Sequence, residues 1–429
     1  MGSELLKQAS LLIREYTSGS YLFETSCTDQ IGKILADFGE GKKISLVMSD
    51  IEEEWAKKLH DKVKLSFATN GLSFHGGIIR GANSDALVED VFRITSLLEE
   101  WEPDIIVIIG SGNAISAGKF ATLYWKLKSK FPSIQDYEQP NIISDMFKKI
   151  EKHIPPIVAF NTSISTSHID CFADIYFSPE KRIIHLEDPV LRPLKSFFDP
   201  RWTMTLPSER VKEAAMDAFS HCIETYMTYS GEYEEYLEYC CLTAISLILE
   251  FLDLSADNDN VEARAAIGMA SDIGAISLMT ARANCGHLIS DFCHAIHQKH
   301  SIICSVLNPY FMIMYSSSNG EKLAKIAKVF SLFGYNVSES SESPRILSES
   351  LAEVIFDFYR KQKIPVKLSE ISGFSEERLD ELIDIARKEL AKSGFKQLPV
   401  DINLINATKY LRLLFEAAFL GDYSLIMSP

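Results

Sequence analysis

Three short runs of apolar, largely β-branched residues set what this chain can fold into: KISLVMSD at 43–50, DIIVIIG at 104–110 and PIVAFNT at 156–162. None alternates apolar with polar residues, so none suits a strand with one face in water. Stretches of helical periodicity such as ALVEDVFRITSLLEEW (86–101) lie between them. Strands alternating with helices make βαβ units, and continuously apolar strands fit a parallel sheet covered by helices on both faces. A polar, proline-containing insert at 129–156, SKFPSIQDYEQPNIISDMFKKIEKHIPP, reads as a loop plus a short helix.

From Leu206-Pro207-Ser208 onward the texture changes. The segments 209–229, 233–253, 261–279, 321–333, 347–361, 375–393 and 404–418 all read as amphipathic or buried helices. SESSESPRILSES at 338–350 is a surface connection. A chain of 429 residues is expected to hold more than one core. The expected architecture is an α/β dinucleotide-binding domain with a parallel sheet at 1–206 and an all-α, metal-binding domain at 207–429. The cleft between them is the default active site.

Charge narrows the partners. With 43 basic against 59 acidic residues the formal balance is −16, and no basic run is present. Such a field repels phosphate, so no nucleic acid and no anionic membrane surface is expected. MGSELLKQASLLIREYTSGS lacks the basic stretch and apolar core of a signal peptide. The run IIVII at 105–109 falls far short of the ~18 residues a membrane span needs. Eight cysteines without a CxxC pattern read as reduced, mostly buried thiols of a cytoplasmic protein.

Candidate chemistry sits in three places. A strand runs into Gly110-Ser111-Gly112-Asn113 and then a helix, a unit that offers backbone N–H groups and a helix N-terminus to phosphate. Asp50 ends an earlier strand, where a carboxylate commonly meets ribose hydroxyls, although a turn or cap role explains it as well. Asp217 and His221, four apart in VKEAAMDAFSHCIETY, share one helix face. Buried, they need partners: each other, or one divalent cation that serves both.

The third place is NCGHLISDFCHAIHQKHSIICSVLNP (284–309), where His287, His294, His297 and His300 crowd together. One straight helix cannot aim all of them at one point, because His300 turns well away from His287. Two arrangements remain. His287, Asp291 and His294 form a local site, or a break near Gln298-Lys299 lets His300 join His287, Asp217 and His221. Spacing alone slightly favours the local set.

Five segments in register resemble the iron-containing alcohol dehydrogenase superfamily, which includes glycerol dehydrogenase and 3-dehydroquinate synthase. DIIVIIGSGNAISAGK is similar to the family's strand followed by GGGSxxDxxK, and PIVAFNTSISTS to its PTTAGTGS segment. EDPVLRPLKSFFDPRWTMTLP resembles DPxLLPDxxxxDPxLTxxLP, and AAMDAFSHCIETY resembles GMDALTHAIEAY. GHLISDFCHAIHQKHSIICSVLNP resembles VHAxxHxLGxxxxxxHGxxNAxLLP.

The resemblance implies metal ligands Asp217, His221, His287 and His300, holding Fe²⁺ or Zn²⁺, since nitrogen and oxygen ligands suit both. It implies nucleotide contacts from Asp50, Gly110, Ser111, Gly112, Asn113, Thr162, Ser163 and Leu191. The implied activity is a metal-dependent, NAD(P)(H)-linked exchange of an alcohol with an aldehyde or ketone, NAD being favoured over NADP by the Asp50 carboxylate. Asp291 and His294, near the first helix ligand, become candidates for moving the proton. A homodimer is compatible with the resemblance.

Departures accompany it. The glycine loop reads GSGN, the family's next acidic position is Ser116, and the proline of PTT is Asn161. Asp291 stands where a histidine is usual. A dehydroquinate synthase-like lyase and a catalytically silent metal- or nucleotide-binding relative are the alternative readings.

Overall fold

In the computed structural model, described residues are 2–82, 85–150, 153–256, 260–289, 292–296, 298–337, 343–393, 398–403 and 405–427. In chain order the elements are α1 (Gly2–Thr17), β1 (Tyr21–Phe23), α2 (Cys27–Gly39), β2 (Ile44–Met48), α3 (Glu54–Thr69), β3 (Phe74–Arg80), α4 (Val88–Trp101), β4 (Ile105–Gly110) and α5 (Gly112–Leu127). Next come α6 (Ile142–Ile150), β5 (Ile157–Asn161), β6 (Phe172–Phe177), β7 (Arg182–Glu187) and β8 (Lys195–Phe198). Helices follow: α7 (Ser208–Thr228), α8 (Glu234–Ser255), α9 (Val261–Thr280), α10 (Phe292–Ala295) and α11 (His300–Met314). The last are α12 (Gly320–Leu332), α13 (Pro344–Lys361), α14 (Leu379–Ser393) and α15 (Ala407–Leu420).

Internal contacts divide these residues into two compact units. One holds Ile13–Leu206 and Asn258–Gly268; the other holds Met1–Leu12, Pro207–Asp257 and Met269–Pro429.

The first unit is built on a six-stranded sheet in the order β1-β8-β5-β4-β2-β3, with every pair parallel. Its central strands β2, β4 and β5 are buried along their whole length because successive side chains serve two different layers. Ile106 and Ile108 of β4 pack with helices α4 and α5 through Val91, Ile94, Leu98 and Phe120. Ile105, Val107 and Ile109 point into the opposite layer, with Leu35 of α2 and Leu59, Val63 and Phe67 of α3. Burying each such side chain is worth roughly 1.5–3 kcal/mol, so both helix layers are anchored by the same strands. Buried Arg264 donates to the carbonyls of Thr203 and Leu206, which ties 258–268 to this unit.

An antiparallel pair, β6 with β7, stands apart from the sheet and was not foreseen in the sequence. The insert folds as a short 3-10 turn at Ile134–Tyr137 followed by α6. The second unit is helical, with no strand among its described residues. All eight cysteines are free, as expected from their spacing. Among the described residues no helix is long and apolar enough to cross a membrane.

Candidate functional site

The helical unit brings together side chains that are far apart in sequence. Asp217 and His221 lie one turn apart on α7, with His221 Nε2 3.6 Å from Asp217 Oδ2. Asp217 Oδ1 is 3.6 Å from His287 Nε2 and 3.0 Å from His300 Nε2. His287 sits in a 3-10 turn, Gly286–Ile289, and His300 is the first residue of α11. The His221 and His287 rings are 4.8 Å apart between centroids, and those of His287 and His300 5.9 Å.

Chain breaks make this possible. The helix carrying His294 ends at Ala295, Lys299 caps the next one in extended conformation, and α11 starts afresh at His300. A glycine at 286 lets the turn touch α11, since a Cβ there would lie 2.5 Å from the Cys304 Cα. The structure therefore joins His287 to Asp217, His221 and His300, which is the non-local arrangement. Asp291 and His297, and the side chain of His294, lie outside the described residues.

Several observations fit a cation at this cluster. Asp217 Oδ1 and His287 Nε2 are buried, face each other and have no hydrogen-bond partner. His300 Nε2 approaches the same oxygen without hydrogen-bond geometry. Ligand atoms around an ion bonded at about 2.0–2.2 Å in a tetrahedron stand roughly 3.4 Å apart. Each histidine nitrogen stands 3.0–3.6 Å from an Asp217 oxygen, and Asp217, His221 and His287 offer ligand atoms all within 4.8 Å of one another. Without an ion these groups incur a desolvation cost with no return.

Electrostatics agree with the geometry. Burial would raise the Asp217 carboxyl, but the His221, His300 and His287 imidazoles outweigh it and hold it well below the usual range. Burial pushes His221 down to about 4, so it is a neutral, ligand-ready imidazole near pH 7. Burial also opposes charge on His287, yet Cys304, Glu224 and Asp217 raise it well above its ordinary value. A cation binding there displaces that proton.

Sequence reasoning missed Glu224 and Cys304. The Glu224 carboxylate is fully buried. It accepts from the Cys285 and His287 backbone N–H groups at 3.0 and 3.2 Å, and lies 2.8 Å from His287 Nδ1. This bond fixes the ring so that Nε2 faces Asp217, the usual way a ligating histidine is oriented. Glu224, His287 and Cys304 also form a compact group of potential ligands, but the three donors to Glu224 already account for its oxygens. The sequence carries only a partial signal: Glu224 is seven residues after Asp217 on the same helix face, a spacing that names no partner. Glu224→Gln is expected to weaken metal retention roughly ten- to hundredfold, read by metal analysis after dialysis against a chelator series. Retention equal to that of the unmodified chain would remove Glu224 from the site.

The α/β unit assembles the other candidates along one sheet edge. The chain leaves β2 outward to β3 and then returns to the far side of β2 as β4, so strand order reverses between β2 and β4. In parallel sheets the carboxyl ends at such a reversal are where ligands bind. Asp50 follows β2, Gly110–Asn113 joins β4 to α5, and Thr162 and Ser163 follow β5. Asp50 adopts φ 53°, a left-handed conformation uncommon for a residue with a side chain and found disproportionately at functional sites. Ser49 Oγ donates to its Oδ2 at 2.7 Å.

The loop can hold a phosphate. A Cβ on Gly110 would lie 2.5 Å from Ser49 Oγ and 2.7 Å from the Ala114 Cβ, so glycine is required there, and one on Gly112 would press on Ser165 Oγ at 3.1 Å. Helix α5 begins without a side-chain cap, and the buried Ser111 Oγ has no partner. An uncapped N-terminus with an orphaned hydroxyl suits an anion. Leu191 is set apart. It is fully buried in the core layer facing α5, and Leu194, three residues on, bonds Ile157 at the amino-terminal start of β5.

Two family models match in tandem: iron-containing alcohol dehydrogenase over residues 18–200, and the C-terminal part of the Fe-containing alcohol dehydrogenase family over 212–403. The NADPH-dependent butanol dehydrogenase of Clostridium saccharobutylicum is 26% identical over 309 residues, 72% of this chain and 75% of that one. The NAD-dependent methanol dehydrogenase of Bacillus methanolicus is 25% identical over 374 residues, 85% of this chain and 88% of that one. Among solved structures, the alcohol dehydrogenase from Oenococcus oeni superposes with a TM-score of 0.75 at 19% identity, covering 93% of this chain and 98% of that one. A 1,3-propanediol oxidoreductase gives 0.76 at 20% identity, covering 93% and 97%.

Proposed function

Because the chain belongs to the iron-containing alcohol dehydrogenase family, we propose that it is a metal-dependent, NAD(P)(H)-linked oxidoreductase that interconverts an alcohol and an aldehyde or ketone. The observation that carries this reading is the convergence of Asp217, His221, His287 and His300 from three separate segments, with buried atoms left unpaired. Those four side chains would hold the ion; a divalent ion there supplies Lewis acidity toward a substrate oxygen, and the nicotinamide carries the hydride.

The protein's own part is orientation. Glu224 keeps the His287 Nε2 turned toward Asp217. His300, with its side chain 48% exposed, is the open side of the cluster, where a small alcohol can approach. Backbone N–H groups at the start of α5 and the Ser111 hydroxyl would take the diphosphate. Asp291 and His294 remain candidates for carrying the hydroxyl proton away.

The relatives named above divide between NADPH and NAD, so the choice rests on this chain's own residues. Asp50 would accept from a ribose 2′-OH and repel a 2′-phosphate, which favours NAD(H). The test is metal analysis together with parallel NADH and NADPH titrations. One divalent ion per chain and tighter NADH binding are expected, and Asp50→Gly should narrow or invert the preference. Equal use of both cofactors by the unmodified protein would count against the role given to Asp50, and an absence of stoichiometric metal against the activity itself.

A further inference from the structure

The segment that follows β5, TSISTSHID, is short, polar and rich in hydroxyls, a composition that favours many conformations over one. In the fold its conformation is fixed from one residue. Asn161, the last of β5, is fully buried. Its Nδ2 donates to the Ser165 carbonyl and to His168 Nδ1, each at 3.2 Å. Its Oδ1 accepts from the Ser163 N–H at 3.1 Å and from the Ser163 and Ser165 hydroxyls at 3.2 Å. Donors and acceptor of the amide are thus used together, which sets its orientation.

His168 continues the chain of contacts. It is fully buried, and its Nε2 lies 3.0 Å from the Tyr21 hydroxyl on β1. Since Nδ1 accepts from Asn161, Nε2 carries the proton and donates to Tyr21. Burial, with Lys119 nearby, lowers its pKa to about 3, so the ring keeps this neutral form near pH 7. The ring also stacks on Phe198 of β8, with centroids 6.0 Å apart. The result is a strut running from β1 and β8 through an imidazole and an amide to the hydroxyl loop.

We infer that Asn161 and His168 are positioning residues acting as one unit, holding the Thr162–Ser163 turn in the conformation that meets the nucleotide. The PTTAGTGS segment that this stretch resembles opens on a proline, whose ring stiffens the backbone covalently. Here an asparagine stands in that place, and the stiffness comes from side-chain hydrogen bonds instead. The inference rests on the reading of this turn as part of the nucleotide site.

The test is NADH titration by fluorescence on the full-length, metal-loaded protein, for the unmodified chain and for Asn161→Ala, His168→Phe, the double variant and Tyr21→Phe. Each single change at 161 or 168 should weaken binding about tenfold, the loss that goes with about one net hydrogen bond. The double variant should be no weaker than the worse single one, because either change already frees the turn. Metal content should stay at the unmodified level. Tyr21→Phe, which removes only the far end of the strut and keeps the fold, should weaken binding a smaller amount, roughly threefold. Unchanged affinity in Asn161→Ala and Tyr21→Phe, or losses that multiply in the double variant, would overturn the inference. An unmodified chain that binds neither NADH nor NADPH would overturn the nucleotide reading and this one with it, a result distinct from variants that merely match a binding parent.

Discussion

His300→Ala is expected to lower divalent metal content to near zero and to cut kcat/KM by about a thousandfold or more, since Lewis-acid stabilisation of a developing oxyanion is worth several kcal/mol. The residue is well chosen for the purpose. Its side chain is 48% exposed, so truncation removes little packing and leaves the fold intact. By contrast the His221 side chain is only 7% exposed, and its loss would mix metal loss with a destabilised α7. His294→Ala is the matched control: it should keep the ion, because His221, His287 and His300 already gather around Asp217. If the control loses metal while His300→Ala keeps it, the local set of His287, Asp291 and His294 holds the ion. Metal analysis on both variants after the same dialysis decides the matter, without any need to know the substrate.

The helix pair Asp217–His221 was legible because i, i+4 spacing is a local rule. His300 was not, because spacing cannot show where a helix stops. Residues 284–309 look like one continuous apolar-periodic run, yet the chain forms a 3-10 turn, one short helix and then a new helix from His300. Spacing left a break near Gln298-Lys299 as one of two arrangements, and only resemblance to a family favoured it. Glu224 was hidden for a related reason: its partners are the N–H groups of a distant turn at 285–287, contacts that no period along α7 encodes.

In the α/β unit β2, β4 and β5 were plain from their continuous apolar runs, and the alternate residues of β4 divide between the two helix layers as such a run requires. Strands β1, β3 and β8, which are short or partly polar, were not. The pair β6–β7 escaped notice because its strands alternate only weakly and stand outside the parallel pattern. The burial of the Leu191 side chain is a fact that the resembled motif does not carry.

The last expectation concerns Lys119, the lysine that closes the stretch resembling GGGSxxDxxK and that was given no role from sequence. It is fully buried on α5, and its ammonium donates to Asp170 Oδ1 at 2.9 Å, to the Asp170 carbonyl at 3.0 Å and to the Phe172 carbonyl at 3.1 Å. Asp170 in turn accepts from the Thr166 hydroxyl and the Phe172 N–H, so one cation fastens the far end of the loop that begins at Thr162. A second latch, Ser116 to Ser167 at 3.3 Å, joins the same loop to the first turns of α5. Breaking a buried pair from one side leaves the other charge uncompensated and costs about 3–5 kcal/mol. Because Asp170 keeps two of its donors, Lys119→Met should fall at the lower end of that range. For a unit of this size that is a drop in Tm of roughly 6–12 °C. Lys119→Met combined with Asp170→Asn should recover part of the loss, since the stranded charge is gone although the two carbonyls still lack a donor. A lone carboxylate is the expensive species, so a double variant as unstable as the single one would mean that the carbonyl bonds, rather than the ion pair, hold the loop. Either way NADH affinity should fall with Lys119→Met, because the turn that presents Thr162 and Ser163 is anchored at one end by Asn161 and at the other by this ammonium.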